Sequence, residues 1–401
     1  MLAVLFPVVL GDFWSAGDEG SLVTARLAWV NSAASLVVFV MAPVLGAVAD
    51  SGGFRKRFLL LFVLLGAATT AGLALVGEGD WPAALTLFMF ASIGFYGANV
   101  FYDSLLVDVV RPRYYSVLSA TGFALGYFGS AVLLTLHVVM LRSPQTFGFA
   151  DAGGVMQFVF ISCGAWWLAF VLPLMLLVRE RRQPLAAAGS PVRDAWRSLR
   201  ETFGRVREYR EAVRFLAAYF VYIGAVFTVI VMAVNFGQRL GFGTGDLVTA
   251  ILVTNFAGFP ATLAYGWFGH RAGPKRALLF GLAVYIGVAI WAVFLETVQE
   301  FYLMAIAVGA VQGGVQGMSR SLYAGLIPED KSGEFFGFYN TLTKLAHVFA
   351  PALVGIGALI SSDPKFVLVP LLPLFIGGAI LLWRVSEPPA LRGAPTQPAA
   401  P

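Results

Sequence analysis

The sequence has a single cysteine, Cys163, and three histidines, His137, His270 and His347, among 401 residues. One cysteine excludes an internal disulfide, and its apolar surroundings argue against thiolate metal ligation. The histidines are scattered, and no HExxH, CxxC or P-loop spacing occurs, so zinc chemistry and nucleotide hydrolysis have no motif to rest on. No constellation of His, Asp and Glu able to do chemistry is evident; the chain reads as a non-enzyme with no cofactor and no metal. Charge is scarce as well: 12% of residues are Asp, Glu, Lys or Arg, about half the share in a soluble domain. Hydrophobic residues fill the difference at 59%. The excess runs along nearly the whole length, which implies an all-α polytopic membrane protein rather than a soluble domain with an anchor.

Apolar runs fall near 2–13, 25–49, 57–77, 82–110, 115–141, 153–178, 212–237, 246–268, 275–296, 301–327, 334–360 and 365–384. All but the first are long enough to cross about 30 Å of hydrocarbon at about 1.5 Å per residue. The first, "LAVLFPVVLGDF", supplies roughly half a crossing and ends in a polar loop. It reads as the outer half of a truncated first span; the rival reading, a signal peptide, lacks a basic n-region and a small-residue cleavage site.

Basic residues alternate between loops. Arg55–Arg57, Arg111 and Arg113, ten arginines from Arg179 to Arg214, Arg271, Lys275, Arg276, Lys331, Arg384 and Arg392 fall on one side. Arg26, Arg142, Arg239 and Lys365 fall on the other or at span edges. By the positive-inside rule this puts both termini in the cytoplasm. It also accounts for the net charge of +5 without a nucleic-acid partner.

The organisation follows: a six-span half at 1–178 with its first helix partial, a linker at 179–211, a second six-span half at 212–385, and a Pro/Ala-rich tail at 386–401 that reads as disordered. Within the linker, Val192, Trp196, Leu199, Phe203 and Val206 recur every three or four residues, one apolar stripe on an arginine-rich helix. Such a helix either lies on the inner membrane surface and joins the halves or docks a partner protein.

The halves repeat. "GAVADSGGFRKRFLL" follows the second span and "GWFGHRAGPKRALLF" follows the eighth. At an offset of 220, Gly46 aligns with Gly266, Gly53 with Gly273, and Arg55 and Lys56 with Lys275 and Arg276. Glycines suit a tight turn between helices, and internal repeats of this kind mark transporters. The G-x-x-x-D-x-x-G-x-[RK]-[RK] loop of Gly46, Asp50, Gly53, Arg55 and Lys56 resembles that of the major facilitator superfamily. "NVFYDSLLVDV" with "YYSVLSATGFALGYFGS", and "GGVQGMSRSLYAGLIPEDKSGEFFGFYNTLTKLAHVFAPALVG", are similar to characteristic stretches of its vacuolar-effluxer family, the autophagy-related amino-acid permeases.

That resemblance implies two six-helix bundles related by a pseudo-two-fold axis, alternating access, a small polar solute with an amino acid as first guess, and gradient drive by a proton or ion. It implies a multi-pass protein of the cell (inner) membrane. Two features depart from the family pattern. The usual opening half-helix is missing, and Tyr222 is followed by Ile223, Gly224 and Ala225 where the family carries an acidic group. Both leave open a second reading, a receptor or degenerate copy that does not transport.

Arg320 is the one charge inside the tenth span. A guanidinium facing lipid costs at least about 2.5–3.5 kcal/mol, so it must face a cavity or another helix. Asp103, on the fourth span, stands at the matching place in the first half, 217 residues earlier. Three roles remain open for the pair: a gate of opposite charges, substrate binding, or local satisfaction by snorkelling. Gln312, Gln316 and Arg320 form one stripe, while Gly309, Gly313 and Gly317 form a small-residue ridge suited to close packing. On the eleventh span Asn340, Lys344 and His347 share a face; Lys344 is either functional or paired with a carbonyl or an acid such as Asp108. Asn99 and Tyr102 complete the candidate pathway.

Overall fold

In hydrocarbon the backbone polar groups of a span have no partners but each other, so apolar runs become helices punctuated by glycine, proline and side-chain caps. The computed structural model of the chain describes residues 6–7, 9–15, 17–180, 191–204, 207–360 and 363–391. After a π-helical turn at Leu10–Trp14 come α1 (Gly20–Gly52), α2 (Arg55–Gly72), α3 (Trp81–Ser104), α4 (Tyr115–Arg142) and α5 (Ala152–Leu177). The linker forms α6 (Pro191–Gly204). Then follow α7 (Arg210–Arg239), α8 (Thr244–Ala272), α9 (Pro274–Trp291), α10 (Val298–Leu326), α11 (Ser332–Ile360) and α12 (Leu372–Trp383).

Asp80 and Asp151 cap α3 and α5, accepting from the Ala83 and Gly154 amides at 3.2 and 2.9 Å. A Thr297–Glu300 capping box starts α10, satisfying helix-end amides that would otherwise be orphaned. Among the described residues, nine helices are long and apolar enough to cross a membrane. The sequence predicts one continuous span at 365–384. The structure gives instead two 3-10 turns, Pro364–Phe366 and Val369–Leu371, ahead of the 12-residue α12. Pro370 and Pro373 lack the N–H groups that would extend the helix backwards.

The chain divides into two compact units. The first comprises Met1–Val109, Val132–Arg200 and Asp330–Thr341; the second comprises Val110–Ala131, Glu201–Glu329 and Leu342–Pro401. Helices α4 and α11 therefore each contribute to both.

In the first unit α3 packs on α1 and α2, and α5 packs on α2. Phe101 is 1% exposed and stacks with Phe58 and Phe62 at 5.3 and 5.9 Å. A second cluster joins Phe6, Leu10 and Trp14 to Phe88 and Phe160. Between membrane helices such contacts gain by dispersion and fit rather than by leaving water. Pro43 lies inside α1 and cannot donate to the Phe39 carbonyl. Thr341 of α11 repairs the gap, its hydroxyl donating to that carbonyl at 3.3 Å.

In the second unit α10 packs against both α8 and α9, and α12 against α7. The glycine ridge of α10 serves close packing. A Cβ on Gly309 would come within 2.5 Å of the Thr254 carbonyl oxygen, and one on Gly317 within 3.3 Å of Ala120 backbone.

α6 forms within the predicted linker. Leu199 is buried among Val44, Ala47, Val48 and Phe338, whereas Trp196 is 67% exposed. The side chains of Val192 and Phe203, and all of Val206, lie outside the described residues. The tail differs from its composition-based reading: Pro389–Leu391 is a 3-10 turn, and Leu391 is 1% exposed against Gly325 of α10. An apolar side chain with a helix groove to fill is enough to fix those residues. Residues 392–401 lie outside the described ones.

Candidate functional site

The first constellation sits at one end of the first unit. α1 stops at Gly53, whose φ of 62° is a left-handed conformation that glycine adopts without strain. The turn brings Arg55 back onto Asp50. The guanidinium donates through Nε to Asp50 Oδ1 at 2.7 Å and through Nη1 to Asp108 Oδ2 at 3.0 Å. The side chains of Asp50, Arg55 and Asp108 are 8%, 5% and 2% exposed. Asp50 also accepts from the Gly333 amide at 3.0 Å and the Glu334 amide at 2.8 Å. These are first-turn amides of α11, which lack intrahelical partners and carry the positive end of the helix dipole. One turn earlier on α1, a Cβ on Gly46 would collide with the Gly333 carbonyl, so glycine is what allows the approach. Asp108, considered from sequence as a partner for Lys344, belongs instead to this network: Arg55 lies within salt-bridge distance of it.

A lysine clasp accompanies the network. Lys56 Nζ donates to the Met175 and Val178 carbonyls at the end of α5, at 2.7 and 2.6 Å, where the helix dipole favours a cation. Glu180 accepts from the Arg55 amide at 2.8 Å. The second unit contains the same device. Lys275 Nζ donates to the Trp383 and Val385 carbonyls at 2.6 and 2.7 Å, and Glu387 accepts from the Lys275 amide at 3.3 Å. Lys56 therefore corresponds to Lys275, one residue away from the sequence register that aligned Lys275 with Arg55. Gly273, like Gly53, has positive φ, at 93°. Gly266 packs beside Ala120 and Ser116. Where the first repeat has Asp50, the second has His270, whose Nδ1 bonds the Arg113 carbonyl at 2.7 Å. Arg276 follows on α9 and makes no part of the clasp.

Deeper in the first unit, Asn340 donates to Asp103 Oδ2 at 3.2 Å, and Ser332 Oγ donates to the Ser104 carbonyl at 3.1 Å. Asn99 and Tyr102 stand beside them on α3, half-buried and 38% exposed respectively.

The second constellation, in the second unit, is a polar ladder between α4 and α10. Ser116 and Ser321 share a hydrogen bond of 3.0 Å, and Ser119 donates to the Gly317 carbonyl at 2.8 Å. Arg320 Nε donates to Ser119 Oγ at 2.8 Å and Nη2 to the Ser119 carbonyl at 3.1 Å. Its guanidinium lies 5.0 Å from the Phe123 ring centroid. Further along, Gln312 and Gln316 both donate to Tyr127 Oη, at 2.9 and 3.2 Å. The stripe on α10 thus faces another helix. Arg320 is 4% exposed, so it does not snorkel to a free surface.

Lys344 is buried too, at 9% exposed, and the His347 ring stacks on Phe227 at 3.6 Å. The position on α7 where the family acid was expected is tightly closed. A Cβ on Gly224 would lie 2.5 Å from the Ala346 carbonyl oxygen, while Tyr222 Oη pairs with Ser319 Oγ at 2.7 Å. Sequence reasoning missed Ser119, Tyr127, Glu334, Glu180 and Glu387. The last two had a signal, since each follows the last span of its repeat.

Apolar helices, a duplicated helix-end clasp and a buried Asp–Arg loop holding a helix N-terminus define a major facilitator transporter embedded in a membrane by many passes. The fold agrees with the solved proton:xylose symporter XylE at a TM-score of 0.75, covering 96% of this chain and 92% of that one at 16% identity. The family model described as "Vacuole effluxer Atg22 like" matches residues 22–114 and 113–394, and the chain belongs to that family. It is 34% identical over 374 residues to YxiO, an uncharacterized MFS-type transporter of Bacillus subtilis, covering 93% of this chain and 87% of the relative. Autophagy-related protein 22 of Coccidioides immitis is 22% identical over 404 residues, and the match spans 80% of this chain but 65% of the fungal protein, just under two thirds.

Proposed function

We propose that the chain is a secondary active transporter that moves a small polar solute, with an amino acid as first candidate, by alternating access driven by a proton or ion gradient. The moving halves are 1–178 and 212–385, the loop carrying Asp50 faces the cytoplasm with both termini, and the membrane is the cell membrane. The observation that carries this reading is the α4–α10 ladder: a buried guanidinium, two glutamines and a tyrosine hydroxyl within helices that are otherwise apolar. Polar and charged side chains inside spans are rare, pair with one another, and by default mark a route for polar cargo.

A thermal-shift screen of the purified protein against amino acids, sugars and organic anions tests it. Transport in sealed proteoliposomes with the stabilising solute then separates the reading from a receptor: a receptor is stabilised but gives no flux. Asp103 and Arg320, at matching places in the two repeats, act as one exchangeable pair of pathway charges. Asp103→Arg and Arg320→Asp are each expected to abolish flux, and the double exchange to restore a measurable part of it. A double variant no better than either single one sinks the pairing.

A further inference from the structure

We infer that α6 is a binding surface for anionic phospholipid headgroups, and that its seating on them sets how firmly the first turn of α11 holds Asp50. The inference is independent of the cargo.

The helix is fastened along one edge. Leu199 is inserted among Val44, Ala47, Val48 and Phe338. At about 100° per residue, Trp196 projects roughly 60° to one side of Leu199 and Arg200 roughly 100° to that same side. Ser198 lies roughly 100° to the opposite side. The flank carrying Trp196 and Arg200 is exposed, and the indole is 67% exposed. An apolar ring with a polar N–H beside a guanidinium suits the headgroup boundary, where one end is wet and the other dry. The charge has the matching sign: the segment 179–214 holds ten arginines against five acids (Glu180, Asp194, Glu201, Glu208 and Glu211). Basic segments of this kind are drawn to anionic leaflets.

The opposite flank reaches the Asp50 network. Ser198 Oγ donates to Glu334 Oε2 at 2.7 Å. Glu334 is 1% exposed, and its Oε1 has no hydrogen-bond partner among the described residues. Its own backbone amide is one of the two that Asp50 accepts. Lifting α6 would take the Ser198 hydroxyl away from a buried carboxylate that already has one oxygen unsatisfied. The α11 turn that carries the Asp50 contact would then loosen.

The test uses the full chain in vesicles of phosphatidylcholine, with and without phosphatidylglycerol, bearing brominated acyl chains. The contribution of Trp196 is the fluorescence difference between the protein and Trp196→Phe. It is expected to be quenched more strongly, by twofold or more, when phosphatidylglycerol is present. Arg197→Gln with Arg200→Gln should remove that increment. Hydrogen–deuterium exchange of the peptide over 330–336 should slow several-fold with phosphatidylglycerol. In Ser198→Ala the quenching should persist while the slowing is lost. Equal quenching with and without the anionic lipid, or an increment that survives both arginine changes, overturns the headgroup surface. An indole shielded from brominated chains in every vesicle points to a protein partner and also overturns it. Exchange at 330–336 indifferent to lipid charge overturns the coupling.

Discussion

Asp50→Ala is expected to destabilise the purified protein by about 3–5 kcal/mol, the range for removing one partner of a buried ion pair. Asp50 receives the Arg55 guanidinium and two amides of α11, so its loss takes away the acceptor of two backbone amides and of the Arg55 Nε–H. Arg55 keeps Asp108 at 3.0 Å, but a guanidinium that is 5% exposed loses one of its carboxylates. Asp50→Asn should fall in between. Its amide oxygen can accept from one α11 amide, while its NH2 group would face the remaining donors. Thermal unfolding in detergent, followed by intrinsic fluorescence, measures all of this. A double cycle with Arg55→Met isolates the pair: the double variant should be more stable than the sum of the two single losses predicts, because the Asp50–Arg55 contact is lost only once, while Asp108 loses its guanidinium in the Arg55→Met single and in the double alike. An Asp50→Ala protein that melts with the wild type would mean that the network carries no stability.

Arg320→Gln is expected to lower transport of whichever solute the screen selects by roughly ten- to a hundredfold. A single hydrogen bond to a charged group contributes about 1.5–3 kcal/mol, and each 1.4 kcal/mol is about a factor of ten. Arg320 donates twice to Ser119 and lies over the face of Phe123. Arg320→Lys keeps the charge but loses the planar fork and the ring stacking, and should recover little of the flux. The readout that separates function from scaffolding is the rate per folded molecule. If the glutamine variant melts earlier yet transports at the wild-type rate, Arg320 is a structural brace and the pathway lies elsewhere.

Much of this was legible in the sequence, because a bilayer leaves a chain few choices. Spans could be counted from apolar runs, and the loop motif and its repeat placed Asp50 and Arg55 at a helix junction. What escaped depended on side chains from distant elements. Asp108 is 53 residues from Arg55 in the chain, and its attachment to Arg55 needs the turn at Gly53. Ser119 and Tyr127 look unremarkable on α4 until the α10 stripe is turned towards them. The register of the second loop slipped by one residue because two adjacent cations are interchangeable in sequence. The carbonyls at the end of the last helix in each repeat decide which one is the clasp. The interruption before α12 and the docked Leu391 were obscured by composition, which records how apolar or proline-rich a segment is but not which groove it fills.

The two fastenings at Lys56 and Lys275 have a consequence for the repeat. Each joins the early loop of a repeat to the closing helix of that same repeat, with a glutamate just past that helix accepting an amide of the lysine-bearing turn in both copies. A feature present in both copies is what a doubled six-helix half would carry twice. The acidic grip of Asp50 is not doubled in this way: at the corresponding place the second copy holds a histidine bonded to a carbonyl, so the two halves share the fastening and differ in the grip.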